Sequence, residues 1–138
     1  MKYLLFCISL FLVLGCTNNV SDKDISLLNG YWEIAEVEFN DGQKKKYTVN
    51  PTIDYIQVKG LKGFKKKVHP KFNGSYDTSD DAEAFTLIKK DGSFIFSYKN
   101  SLSQWEEKLV QLKEDTFSVT NQDKITYTYK RYKPLNIK

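Results

Sequence analysis

The sequence predicts an all-β domain of about eight short antiparallel strands, and three observations carry that expectation. Aromatic residues are abundant, with nine Tyr, nine Phe and two Trp among 138 residues, and such side chains favour pleated, half-buried positions. The segments that alternate apolar with polar residues are short and closely spaced. Turn signals stand between them, Asn40-Asp41-Gly42 and Asp91-Gly92 being the clearest. Short strands punctuated in this way imply either a sandwich or an up-and-down barrel.

The length allows one domain. Removing a leader leaves about 120 residues, enough to build a core by packing alone. Packing has to suffice, because the two cysteines, Cys7 and Cys16, both precede the domain. The formal charge of +4 is too modest to imply nucleic acid.

Residues 1–15 read as a targeting segment and not as fold. Lys2 supplies the positive start, and Tyr3 to Leu14 is an almost unbroken apolar run. It is shorter than the roughly 20 residues a spanning helix needs. Val13-Leu14-Gly15-Cys16 resembles the bacterial lipobox. The resemblance implies cleavage before Cys16, a lipid on its sulfur and acylation of the new amino terminus. One chain binds a membrane marginally and two or more hold stably. Residues 16–24 are then the lipidated Cys and a polar tether. Ser21-Asp22-Lys23-Asp24 resembles the acidic export signals of surface lipoproteins in Bacteroidetes-type bacteria. The same residues read as a helix start, with Ser21 and Asp24 forming a capping box that buries Ile25 and Leu28.

Residues 25–138 form the domain. Gly30-Tyr31-Trp32 opens the first strand. Trp32 and Ile34 share one face, and Ala35, Val37 and Phe39 the other, so a bulge is expected near Ala35. Lys44 to Val49 is extended, and Asn50-Pro51 breaks it. Ile53 to Val58 is a strand with Asp54, Ile56 and Val58 on one side. Phe64 to Val68 reads as a basic edge or rim segment and Phe72 to Tyr76 as a short extended piece. The polar loop Asp77 to Asp81 closes that piece. Ala84 to Lys89, Ser93 to Lys99, Gln104 to Leu112, Thr116 to Asn121 and Lys124 to Tyr132 complete the series. The last of these places Ile125, Tyr127, Tyr129 and Arg131 on one face.

A short helix, a Gly-x-Trp opening the first strand, about eight meandering strands and a basic residue on the last strand together resemble the lipocalin-like barrels. More narrowly, the chain resembles the small lipocalin-like lipoproteins of Bacteroidetes. The resemblance covers Ile25 to Lys133. It implies an eight-stranded antiparallel up-and-down barrel, closed at its base by Trp32 with Arg131 stacked over it and Gly30 at the turn. Guanidinium on indole contributes about 0.5–2 kcal/mol, so this is a structural set. The usual disulfide of the family is missing and the loops are short, which implies a shallow or partly filled barrel.

The residues point away from catalysis. The one histidine, His69, precedes Pro70 in a lysine-rich stretch and reads as exposed. Glu33, Glu36, Glu38, Glu106 and Glu107 read as a solvated outer surface. Asp77, Asp80 and Asp81 lack the glycine and the closing Glu of a calcium loop, so no metal or cofactor is expected. From Lys44 to Lys71 nine lysines face Asp54 alone. Lys62, Lys65, Lys66, Lys67 and Lys71 mark a basic rim, read either as a surface for anionic partners or as a solvated edge that resists aggregation. Phe96, Tyr98, Trp105, Tyr127 and Tyr129 are the candidate ligand-lining residues.

The expected function is that of a non-enzymatic, lipid-anchored lipoprotein of a Gram-negative outer membrane, facing the periplasm or the cell surface. It would be a monomer that holds a small apolar or amphipathic molecule in the barrel. The competing expectation is an accessory or inhibitory lipoprotein that meets an envelope protein through the basic rim. A dry lumen of a few hundred Å³ would favour the ligand, and a packed one the partner protein.

Overall fold

The computed structural model describes residues 20–134. The leader, Cys16 and the start of the tether lie outside them, as do residues 135–138. A 3-10 helix, Asp22–Leu28, precedes nine strands: β1 (Gly30–Glu38), β2 (Lys44–Lys46), β3 (Ile53–Lys59), β4 (Lys62–Pro70), β5 (Tyr76–Lys90), β6 (Ser93–Lys99), β7 (Gln104–Leu112), β8 (Thr116–Asn121) and β9 (Thr126–Arg131). Each of β3 to β8 pairs antiparallel with the next, β1 pairs with β3, and β9 returns to β1. Eight strands therefore close into a barrel. The three-residue β2 is an extra strand beside Glu36 to Glu38 of β1.

β1 carries apolar residues on both of its faces. It resolves the conflict with a register shift between Ile34 and Glu36 against β9. Ile34 stands opposite Tyr129 before the shift and Val37 opposite Tyr127 after it, so both reach the inner face. One unpaired residue is enough to reset the alternation. Inside, the helix contributes Ile25 and Leu28, and the strands contribute Trp32, Phe85, Leu87, Phe94, Phe96, Leu109, Phe117 and Val119.

Several sequence expectations are corrected. The helix start has no side-chain cap: Ser21 Oγ is buried without a hydrogen-bond partner, and the turn is closed by the Asp24 N–H donating to the Ser21 carbonyl at 3.0 Å. Asp77 to Asp81 is not a loop but part of the fifteen-residue β5. Phe72 is not in a strand. It sits in the turn closed by the Gly74 and Lys71 backbone, and its ring is exposed. The segment around Phe64 to Val68 is no edge, since β4 pairs with β3 on one side and β5 on the other.

The far end of the β4–β5 hairpin departs from a plain meander. β4 and β5 are not sheet neighbours of β1 or β9. Tyr76 at the start of β5 nevertheless stacks on Tyr31 of β1 with ring centroids 4.3 Å apart and planes 8° off parallel. Tyr76 also meets Tyr132, just past β9, edge-on at 6.4 Å. Tyr31 alternates with the inward Trp32 and so faces out. The hairpin end must therefore lie across the outer wall. It bends where the β4–β5 register shifts between Lys66 and Val68. Ile53 and Val68 pair across β3 and β4 and are buried, yet they belong to no part of the main core.

Candidate functional site at the mouth of the barrel

The two ends of the barrel are built differently. At the base, Trp32 is fully buried and its indole N–H donates to the Leu28 carbonyl at 2.8 Å. Phe117 meets the indole edge-on at 4.7 Å. The Arg131 guanidinium lies 4.1 Å above the Trp32 ring. It also donates three hydrogen bonds to backbone carbonyls: Nη1 to Asn29 at 2.9 Å, Nη2 to Leu27 at 2.8 Å and Nε to Glu114 at 2.8 Å. Those carbonyls belong to the helix end and the β7–β8 turn, so one side chain fastens the helix to the last strands. Gly30 holds φ at +125°, and a Cβ there would stand 2.7 Å from Arg131 Nη1. Asn29 adds a brace not anticipated from sequence, its Oδ1 accepting from the Val58 N–H at 2.7 Å.

Towards the mouth the inner face becomes charged. Ile56 of β3 stands opposite Lys65 of β4, and Lys65 stands opposite Glu83 of β5. Phe96 of β6 stands opposite Glu107 of β7. Because Ile56 and Phe96 are core residues, their partners share the inner face. Lys65 is thus an interior residue, its side chain 17% exposed, and not part of an outer rim. Its Nζ lies 3.9 Å from Glu83 Oε2, 3.9 Å from Glu107 Oε1 and 5.1 Å from the centroid of the Tyr98 ring. Glu107, expected on a solvated outer surface, is likewise interior. Burial raises its pKa above the usual carboxylate range, Lys65 opposes that shift, and Glu83 adds to it. Burial, with Glu107 beside it, also holds the Tyr98 hydroxyl well above its ordinary value. Lys67 Nζ stands 2.6 Å from Oδ1 of the buried Asp54. This is the shortest ion pair among the described residues.

The five candidate lining residues fall at different depths. Phe96 is packed between Phe85 and Tyr98, and Tyr129 is stacked on Phe117 at 4.7 Å. Tyr98 continues into Trp105, with rings parallel at 5.1 Å and the indole half-exposed. Tyr127 packs against the edge of the core. The space left among Phe96, Tyr98, Phe117 and Tyr129 is about 10 Å³, room for one water at most. Above it, a recess of about 430 Å³ opens between β3, β4, β5 and the β6–β7 turn, lined by Asp54, Lys65, Lys67, Asp81, Glu83 and Asn100 among others.

The lysine tract is less lopsided in three dimensions than in sequence. Lys65 turns inward to carboxylates, the exposed Lys67 pairs with the buried Asp54, and Lys71 pairs with Asp77 at 2.7 Å. Of the five rim lysines, Lys62 and Lys66 have no carboxylate within 4 Å among the described residues. His69 is exposed at the end of β4, its Nδ1 3.1 Å from Thr52 Oγ1.

No family model matches the chain, and no curated protein matches it. Among solved structures it is similar to a lipocalin-like protein from Bacteroides uniformis, at 10% identity over 77% of this chain and 99% of that one, with a TM-score of 0.48. It is also similar to apocrustacyanin C2, at 10% identity over 83% and 66% with a TM-score of 0.47, and to lobster apocrustacyanin A1, at 12% over 80% and 64% with a TM-score of 0.44. The fold assignment itself rests on the closure of β9 onto β1, the 3-10 helix across the base and the guanidinium stacked on Trp32. On those grounds the described residues form a lipocalin-like barrel.

Proposed function

We propose that the protein is a lipid-anchored envelope lipoprotein that binds a small amphipathic molecule at the mouth of its barrel and catalyses no reaction. One observation carries the reading: a 430 Å³ recess sits above Lys65 and Glu107, both largely buried and 3.9 Å apart, with the half-exposed Glu83 beside them. Lys65 is shared between two carboxylates at long range, 3.9 Å from each. Buried charges without well-made partners are costly. A ligand bearing both a cation and an anion would supply the missing bonds, while the filled interior leaves no room for a large apolar body.

Extraction of the full-length protein followed by mass spectrometry tests this. A co-purifying small zwitterion or amphiphile, lost in the Lys65→Met variant, is expected. Co-purification that Lys65→Met leaves intact would count against the mouth. The anchor rests on Cys16, and Cys16→Ser is expected to release the protein from membranes. Continued membrane association would refute the anchor.

The packed lumen also favours a second reading, an accessory lipoprotein that meets an envelope protein through Lys62 and Lys66. Stoichiometric co-purification of a protein, sensitive to charge reversal at those two lysines, would select it.

A further inference from the structure

A second recess lies outside the barrel. The hairpin end that folds over the outer wall leaves a groove of about 340 Å³ between the β4–β5 turn, the loop before β3 and the segment after β9. Its apolar walls are Val49, Pro51, Pro70, Phe72, Tyr132 and Pro134. All three prolines of the chain are among them. Proline rings have a fixed φ and little freedom to lose, so those three positions cost little to order. Phe72 and Val49 are 92% and 85% exposed although each has apolar neighbours across the groove.

The charges around the groove decide what fits. Glu33 at its floor is engaged by Lys130 at 3.2 Å, and Lys71 by Asp77 at 2.7 Å. Lys133 has no carboxylate within 4 Å among the described residues. Half of the lining is apolar and the rest is Glu33, Thr48, Asn50, Lys71, Gly74 and Lys133; the groove is within the size range of small-molecule sites, and Lys133 is its one cation left uncompensated among the described residues.

We propose that this outer groove binds a small organic anion, its flat apolar body held between Phe72 and Tyr132 and its acid group turned to Lys133. The site is separate from the mouth and does not depend on it. The interior has room for a water; the groove has room for a ring system.

Naphthalene-2-sulfonate, a flat water-soluble anion, is a direct probe, titrated into the full-length protein and followed by saturation-transfer NMR. Saturable binding is expected. Phe72→Ser should weaken it at least about tenfold, the equivalent of about 1.4 kcal/mol. This variant keeps the fold because Phe72 touches little. Lys133→Glu should weaken the sulfonate several-fold and leave the uncharged 2-methoxynaphthalene unchanged. Lys65→Met at the mouth should leave both unchanged. Absence of saturable binding would overturn the proposal, as would binding that survives Phe72→Ser or is lost with Lys65→Met. A Phe72-dependent dimer in sedimentation, with no sulfonate binding, would also overturn it and would assign the groove to a second copy of the chain.

Discussion

The base and the mouth of this barrel are lined by the same strands and solve opposite problems. At the base the Trp32 N–H, three guanidinium donors and the Asn29 amide oxygen all have partners at good distance, and Ser21 Oγ at the helix start is the exception. At the mouth Lys65 is stretched between two carboxylates, each 3.9 Å away. A satisfied polar network adds rigidity, and a half-satisfied one costs stability. On the proposed function, one end supplies stability and the other recognition. Substitutions at the base should accordingly register in melting, and those at the mouth in binding and pH dependence.

The largest effect should come from Trp32→Ala. It removes a fully buried side chain and the floor of the core, a loss of about 3–5 kcal/mol on thermal or urea unfolding. An unchanged melting temperature would break the comparison. Arg131→Ala should follow. It forfeits the stacking and leaves the Leu27, Asn29 and Glu114 carbonyls without their donor, about 2–4 kcal/mol in all. Arg131→Lys should recover only part, because an ammonium cannot reach three divergent acceptors while covering the ring.

Glu107→Gln sharpens the contrast from the other side. The folded state raises the Glu107 pKa, chiefly through burial. A raised carboxylate favours the protonated fold: its contribution is complete below the unfolded pKa and is lost as pH rises through the folded value. The variant should therefore melt higher than the parent at neutral pH and identically in acid. Melting curves across about pH 4 to 8 check the sign. The smallest effect belongs to Phe72→Ser, whose melting temperature should stay within error of the parent, since the ring is exposed.

The base was legible in the sequence and the mouth was not. Gly30-Tyr31-Trp32 is a contiguous signal, and Arg131 stands on a strand whose alternation is plain. The bulge near Ala35 was legible too, because two apolar sets on one short strand cannot both face inward. The charges misled, because a run of lysines in sequence says nothing of the strand beside it. Glu83 and Glu107 come to Lys65 from β5 and β7, and such cross-strand neighbours appear only once register is known. The outer wall was hidden for the same reason. Tyr76 reads as the end of a short extended piece, and its partner Tyr31 opens a strand on another part of the ring. The outward turn of the hairpin depends on a register shift between Lys66 and Val68 that no local pattern announces.

The pairing of β1 with β9 joins the beginning of the domain to its end, down to the Tyr132 amide donating to the Tyr31 carbonyl at 2.9 Å. Nothing along the intervening chain can substitute for that seam. Until the last strand has emerged from the ribosome, the cylinder is an open ribbon with two raw margins and an uncovered greasy floor. Contacts this distant along the chain make for slow folding. A chain cut short before Arg131 should remain in the ribbon state and be vulnerable to aggregation.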